Sequence, residues 1–320
     1  QKEDLIDPEA QDLLYQGDAE KWLKLAYGLK ARYTMHLLKR SANKDADMEK
    51  VLEYVNNSFE SAEEQAAFDV YDANNINPLY GFFVARAGLG ASESMRSKLA
   101  EYNDPRLSRA FITKQGTSGK EQAPGTADNA VYAPNGTPEQ GTSKYGTSLF
   151  MYSISAPTLL LSYHELKFLE AEALCRLERD AKSALKDAVV AGLLNAENSF
   201  TISRKELGKT LINAASSITE AEAESYFDNT IEAKYTAEPL KTTMTQKYFA
   251  LWGASGEATE SYNDVRRMKG LGENFIELKN PNSFPLRCPY GNSDTTTNAE
   301  VRAAYGNGQY VYSENVWWAG

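Results

Sequence analysis

The chain has 320 residues, 42% of them hydrophobic and 24% charged, with 12 Phe, 4 Trp and 19 Tyr; that composition is too apolar for wholesale disorder and is long enough for one large or two modest domains. Lys and Arg total 34 against 44 Asp and Glu, a net charge of −10 that repels phosphate backbones and anionic headgroups, so nucleic acid is not an expected partner. The longest apolar run, Thr158-Leu159-Leu160-Leu161, is of strand length and far short of the roughly 20 residues a membrane-spanning helix needs.

The amino terminus, Gln1-Lys2-Glu3-Asp4, has neither an initiator Met nor the apolar stretch of a leader. From Gly17 to Ser41, Trp22, Ala26, Leu29, Tyr33 and Leu37 recur at helical spacing behind Asp18 as N-cap, which predicts an amphipathic helix with those residues facing the core. A second helix follows from Asp45, carrying Met48, Val51, Leu52 and Val55 and broken at Asn56-Asn57-Ser58, so the two form an antiparallel pair. The stretch Ala67 to Tyr71 alternates like a short strand, while Ser61 and Glu64 have the spacing of a capping box; both readings stay open. Met95, Leu99 and Tyr102 predict a helix over 92–102, closed by Asn103-Asp104-Pro105.

Residues 113–148 hold six Gly and three Pro among many Ser, Thr and Asn, with no apolar period. They read as one long loop, and such loops inside compact domains are commonly functional. Helical periodicity returns with Ser162-Tyr163-His164-Glu165 as a capping box ahead of Leu166, Leu169, Ala173, Leu174 and Leu177. Asp180 caps the next helix, with Leu185, Ala188, Val189 and Leu193 inward, so 162–194 reads as a helical hairpin. Capping boxes at Thr219/Glu222 and Thr243/Gln246 open two more helices, the second carrying Tyr248, Leu251 and Trp252. Beyond Gly270 the chain turns to Pro, Gly, Asn and Thr with scattered aromatics and reads as an irregular lobe over 270–320.

Enzyme signatures are missing. Gly119-Lys120-Glu121 imitates the end of a phosphate-binding loop, but Lys114 replaces its first Gly and Glu121 its Ser or Thr. His36 and His164, the only histidines, lie inside helical patterns and read as structural, and Cys175 and Cys288 make no metal or redox spacing. No cofactor is called for. A glycosidase pair among the carboxylates has no local signature, so that alternative stays open. What stands out is a surplus of aromatics beside Gly- and Pro-rich segments: Tyr80, Phe82, Tyr132, Tyr145 and Trp252. Singly each is more simply a packing residue; as a set they suit the apolar face and hydroxyl rim of a sugar ring, or a peptide side chain, and are the candidate ligand-binding residues.

Five segments carry a family resemblance: Gly17-Asp18-Ala19-Glu20-Lys21-Trp22 running to Ala31-Arg32-Tyr33; Asn77-Pro78-Leu79-Tyr80; Asn103-Asp104-Pro105-Arg106-Leu107; Tyr163-His164-Glu165 through Glu170-Ala171-Glu172-Ala173; and Asn263-Asp264-Val265-Arg266-Arg267 with Arg287-Cys288-Pro289-Tyr290 and Val316-Trp317-Trp318. Together and in this order they resemble the SusD/RagB-like nutrient-binding lipoproteins of the Bacteroidetes outer membrane. The sequence departs from that pattern at Glu257 to Glu260, where the family commonly has an aromatic, and at Asp294, where Glu is commoner. The resemblance implies a mainly α, SusD-like single domain over 1–320, of tetratricopeptide-like helical pairs with a loop-rich lobe, corresponding to the carboxyl-terminal portion of a longer member. It further implies a non-enzymatic cell-surface receptor that binds an oligosaccharide or peptide and delivers it to a SusC-like TonB-dependent transporter, tethered by a lipid anchor that this sequence does not contain. A helical-repeat scaffold whose ligand is another protein is the rival reading.

Overall fold

The computed structural model describes residues 11–86, 90–115, 120–122, 131–136, 145–207, 216–253, 255–279 and 283–316. Contacts divide the chain into two compact units, one from 1–133 and 139–277, the other from 134–138 and 278–320. Gln1 to Asp4, Gly119 and the pair Trp317-Trp318 lie outside the described residues.

The first unit is helical. Helices α1 (Ala19–His36) and α2 (Lys44–Asn56) form the expected pair, with Asp18 accepting the amides of Glu20 and Lys21 and Asn43 accepting that of Ala46. Strand β1 (Ala66–Phe68) is the strand reading in shortened form; the Ser61/Glu64 capping box does not form, because Ser61 accepts the Glu63 amide ahead of a single 3-10 turn and the Glu64 carboxylate accepts the Glu60 amide. Short helices α3 (Pro78–Arg86), α4 (Glu93–Glu101) and α5 (Arg106–Arg109) lead to β2 (Phe111–Gln115). Strands β3 (Lys120–Gln122) and β4 (Thr147–Ser148) flank β2 in an antiparallel sheet of order β3-β2-β4. The region read as one loop over 113–148 therefore contains strand. Its Thr, Lys, Glu and Gln residues are uniformly polar in sequence, which leaves no alternating apolar pattern to detect. Strand β5 (Thr158–Leu161) pairs antiparallel with β1.

Helices α6 (Tyr163–Arg176) and α7 (Lys182–Leu207) form the predicted hairpin, α7 running well beyond the expected end at 194. Ser162 caps α6 by accepting the amide of Glu165 at 3.1 Å. The other half of the box is absent, because the Glu165 carboxylate turns to Arg32 and Glu257 takes the Ser162 amide. Helix α8 (Glu220–Tyr226) opens with a complete Thr219/Glu222 box and continues through one π-helical turn (Phe227–Ile231) into α9 (Glu232–Ala237). Helix α10 (Pro239–Ala250) begins four residues before the expected Thr243, with Pro239 in its first turn; Thr243 is interior and donates its hydroxyl back to the Pro239 carbonyl. Leu251 ends that helix, so Trp252 lies in the turn after it rather than on it. At α7, a Cβ on Gly192 would come within 3.0 Å of the Ala250 Cβ, so the glycine sets how closely α10 approaches. Helix α11 (Ala258–Gly270) completes the unit's helices.

Helix α1 buries a different face from the one its apolar spacing suggests. Leu25, Gly28, Ala31, Arg32 and Met35 are buried, whereas Trp22, Tyr33 and Leu37 are 42%, 54% and 62% exposed. The small residues decide this: Gly28 lies against Leu161 and Ser58, where a Cβ would meet their side chains at 2.4 and 2.8 Å. A large side chain cannot occupy position 28, where the neighbours approach so closely, although Leu25 and Met35 fit the same face on either side of it.

A buried ionic lattice ties the helices together. Arg32 of α1 donates to both Glu165 oxygens, Nε to Oε1 at 3.0 Å, and reaches Glu257 at 3.3 Å. Arg267 of α11 donates to Glu172 at 2.8 Å and to Asp264 at 2.6 Å, Asp264 meets Lys247 of α10 at 2.8 Å, and Arg176 bridges Glu172 to Glu273. Between α5 and α8, Asp104 accepts from Arg106 at 2.6 and 2.8 Å and from the Tyr226 hydroxyl at 3.3 Å. Removing one partner from such a pair leaves a buried charge, at a cost of about 3–5 kcal/mol.

The second unit is an irregular lobe with two short helices, α12 (Asn292–Thr297) and α13 (Ala299–Tyr305). Backbone bonds from Leu286 to Val311 and from Tyr290 to Gly308 hold it, Tyr290 stacks on Tyr305 with centroids 4.3 Å apart, and Arg287 lies over Tyr290. Cys175 and Cys288 are both free thiols.

Candidate ligand-binding site

Two of the five candidate aromatics, Tyr132 and Trp252, pack against the hydrophobic cluster beside the three-stranded sheet, and Tyr80 and Phe82 lie on α3, whose Leu79 packs against the same cluster. Asn77 starts α3: its side chain accepts the Leu79 amide at 2.8 Å and donates to the Ala156 carbonyl at 2.7 Å, while its own amide donates to Ile154. Pro78 then fits the first helical position, where no amide is needed. This fastens α3 beside the 3-10 turn Leu149–Tyr152, with the Phe83 ring 5.0 Å from Tyr152. Phe82, the next residue round the helix, is 52% exposed, and Tyr80 is half-buried.

Phe111 of β2 is the hub. Tyr132 meets it edge-on at 5.3 Å, and Trp252 lies tilted over it at 5.2 Å and edge-on to Phe150 at 5.2 Å. Trp252 is placed by the turn at Gly253, whose φ of +79° favours glycine and where a Cβ would strike the Phe150 ring at 2.3 Å. Tyr132 is held from the other side by Arg96, whose guanidinium lies 5.1 Å from its ring centre. Burial pushes the Tyr132 hydroxyl up from its usual range, with Arg96 opposing, so it stays a neutral donor at physiological pH. Backbone hydrogen bonds from Ala133 to Ala91, Ala91 to Gly146 and Gly146 to Val131 lace the segments carrying Tyr132 and Tyr145 together.

Tyr145 departs from the expectation of an exposed platform. At 6% exposure it packs against Gly90 and Ala133, where the lacing leaves no room for a ligand. The remaining four differ: Phe82 is exposed and Tyr80 half-buried, while Tyr132 and Trp252 are half-buried and held by Phe111, Phe150 and Arg96. Val84 and Val131, both about half exposed, extend the apolar surface and were not marked by the sequence, since an isolated Val carries no signal. Such fixed aromatic faces can stack on apolar ligand surfaces without ordering a flexible side chain on binding.

Among the described residues no group of three or more His, Cys, Asp or Glu could hold a metal ion. His36 pairs with Glu260 at 2.7 Å, and His164 is buried with its imidazole pushed down to about 4 by desolvation, which leaves it neutral at physiological pH.

The sequence profile of the SusD-like family, described as starch-binding and associating with the outer membrane, matches residues 2–290. The chain belongs to that family. A crystal structure of a SusD/RagB-family protein from Bacteroides thetaiotaomicron is 65% identical and superimposes with a TM-score of 0.92, over 100% of this chain and 69% of that one. A chitin-binding protein (20% identity, TM-score 0.67, 97% of this chain and 67% of that one) and a SusD homologue from Bacteroides fragilis (19%, 0.67, 97% and 69%) share the fold. No curated protein matches the sequence. The SusD-like fold is thus mainly helical here, as its motifs imply, and the family is one of nutrient-binding, non-catalytic outer-membrane proteins.

Proposed function

We propose that this SusD-like chain is the binding part of a non-enzymatic cell-surface receptor that holds an oligosaccharide, or failing that a peptide, and passes it to a TonB-dependent outer-membrane transporter. Family membership over 2–290, joined to the held rings of Tyr132 and Trp252 and the exposed Phe82 and half-buried Tyr80 on α3, supports this reading. Sugar rings would lie against Phe82 and the exposed edges of the other three, with Arg96 and the tyrosine hydroxyls bonding ring hydroxyls. Each such hydrogen bond contributes about 0.5–1.5 kcal/mol net, which with two stacked rings gives micromolar to millimolar affinity after association costs.

Affinity electrophoresis in gels cast with starch, chitin-derived glycans and other polysaccharides tests it. Retardation by at least one polymer, with no reducing sugar released on prolonged incubation, is the expected result. Turnover abolished by a single carboxylate substitution would make the protein a glycoside hydrolase instead. Delivery is tested separately, by co-purification of the transporter with the receptor from solubilised outer membranes.

A further inference from the structure

A groove of about 500 Å3 runs along the outer face of α7, between the 3-10 turn at Ala62–Glu64 and the start of α8. Its size falls within the ~300–1,000 Å3 of small-molecule sites. Val190 and Leu194, one turn apart on α7, form a half-buried apolar floor, and Tyr163 stands beside them at the start of α6.

Several polar groups around this floor have no protein partner among the described residues. Among the described residues Asn195 and Asn198 make no side-chain hydrogen bond, and Gln65 uses only its carbonyl oxygen, which accepts the Tyr163 amide at 3.3 Å. The groove therefore presents amide donors and acceptors side by side with a tyrosine hydroxyl that has no partner there. The charges are spent or negative: Lys186 is held by both oxygens of Asp228 at 2.8 and 2.9 Å, while Glu220 and Glu224 on the opposite rim form no ion pair among the described residues.

Those features select one ligand class. An anion would meet the rim carboxylates with no free cation to receive it. A purely cationic group would leave the amide N–H donors unpaired, which costs affinity. A neutral ring carrying several hydroxyls uses everything present, since each hydroxyl both donates and accepts and the ring's apolar face matches Val190, Leu194 and Tyr163. We propose that the α7 groove is a second binding site, for a short, neutral, hydroxyl-rich ligand of the sugar class. It uses none of the aromatic surface described above and stands independently of it.

Calorimetric titration of the intact chain with maltose, cellobiose and N,N′-diacetylchitobiose, and with glucosamine and glucuronate as charged probes, tests the assignment. At least one neutral disaccharide should bind, and glucuronate should bind at least about tenfold more weakly. The double variant Asn195→Ala/Asn198→Ala should weaken the neutral ligand by about tenfold or more, because two hydrogen-bonding amides are removed. Its melting temperature should not fall, since neither amide bonds within the described residues and alanine is the better helix former. Three results would overturn the site: no neutral disaccharide binding, undiminished binding in the double variant, or glucosamine preferred over every neutral probe, which would mark an ammonium site. Binding lost in Phe82→Ala but kept in the double variant would place the disaccharide on the aromatic surface and likewise refute the groove.

Discussion

His164 and Glu257 approach to 3.9 Å in full burial, and their titrations act on stability with opposite sign. Desolvation pushes the His164 imidazole down from its usual 6.5 to about 4. The stability gained by keeping it neutral is complete above pH 6.5 and is lost as pH falls toward 4, about 3 kcal/mol over that window. Desolvation, reinforced by Glu165, instead raises Glu257 well above the carboxylate range, so its contribution is complete below about pH 4.5 and is lost as pH rises through that raised value. Two predictions follow from these signs. Melting curves of His164→Gln should fall less steeply than those of the native protein between pH 6.5 and 4. Glu257→Gln, which imitates the protonated acid, should melt higher than native at pH 8 and alike at pH 4; a lower melting temperature at pH 8 would show that Glu257 is needed as an anion. The sequence shows that His164 lies in a helix but not that it stands by Glu257, nor that Arg32 pairs with Glu165 at a separation of 133 residues. No local pattern encodes a partner so distant. The family motifs do contain Arg32, Asp104, Arg106, Glu165, Glu172, Asp264 and Arg267, and the structure gives these residues a scaffolding role in the buried lattice rather than a place on the aromatic surface.

Helix α1 separates what periodicity can and cannot tell. Its start and its Asp18 cap follow from the sequence, but its end at His36, short of the expected Ser41, and its buried stripe do not; Gly28 is only weakly apolar, although its size is what admits Leu161 and Leu166. Met35→Ala should therefore cost about 2–5 kcal/mol in denaturant unfolding, and Tyr33→Ala well under 1 kcal/mol. Gly28→Ala is the sharper case. Alanine is the better helix former by about 1 kcal/mol, yet its Cβ would press on Leu161 at 2.4 Å and on Ser58 at 2.8 Å, so overpacking should make the variant less stable by about 1–3 kcal/mol. A stabilised Gly28→Ala would show that α1 does not pack on β5 as described. The α6/α7 hairpin was legible because its face is built from Leu, Ala and Val at helical spacing, and Leu169→Ala should cost about 2–5 kcal/mol there. Thr243 misleads for a physical reason: a hydroxyl that can cap a helix can also bond back to the carbonyl four residues earlier, and here it does.

On the scale of the whole molecule, the helical pairs and the irregular carboxyl-terminal lobe follow from pattern and motif, and the family follows from the ordered motifs. Which of the candidate rings lie at the surface was only partly legible. Tyr80, Phe82, Tyr132 and Trp252 were marked by lying near Gly and Pro, but the same signal marked Tyr145, which packs inward, because whether a loop ring faces ligand or core is set by neighbours distant in sequence. The α7 groove left no signal at all, since Asn195 and Asn198 look like any polar helix face until the turn at Ala62–Glu64 is seen across from them. Ligand binding on the aromatic surface of the first unit is tested most directly by calorimetric titration of native and Phe82→Ala protein with the polysaccharide-derived oligomer that retards it most in gels. Truncating the exposed Phe82 ring should weaken binding by about 1–3 kcal/mol with the melting temperature unchanged; undiminished affinity in Phe82→Ala would contradict the account.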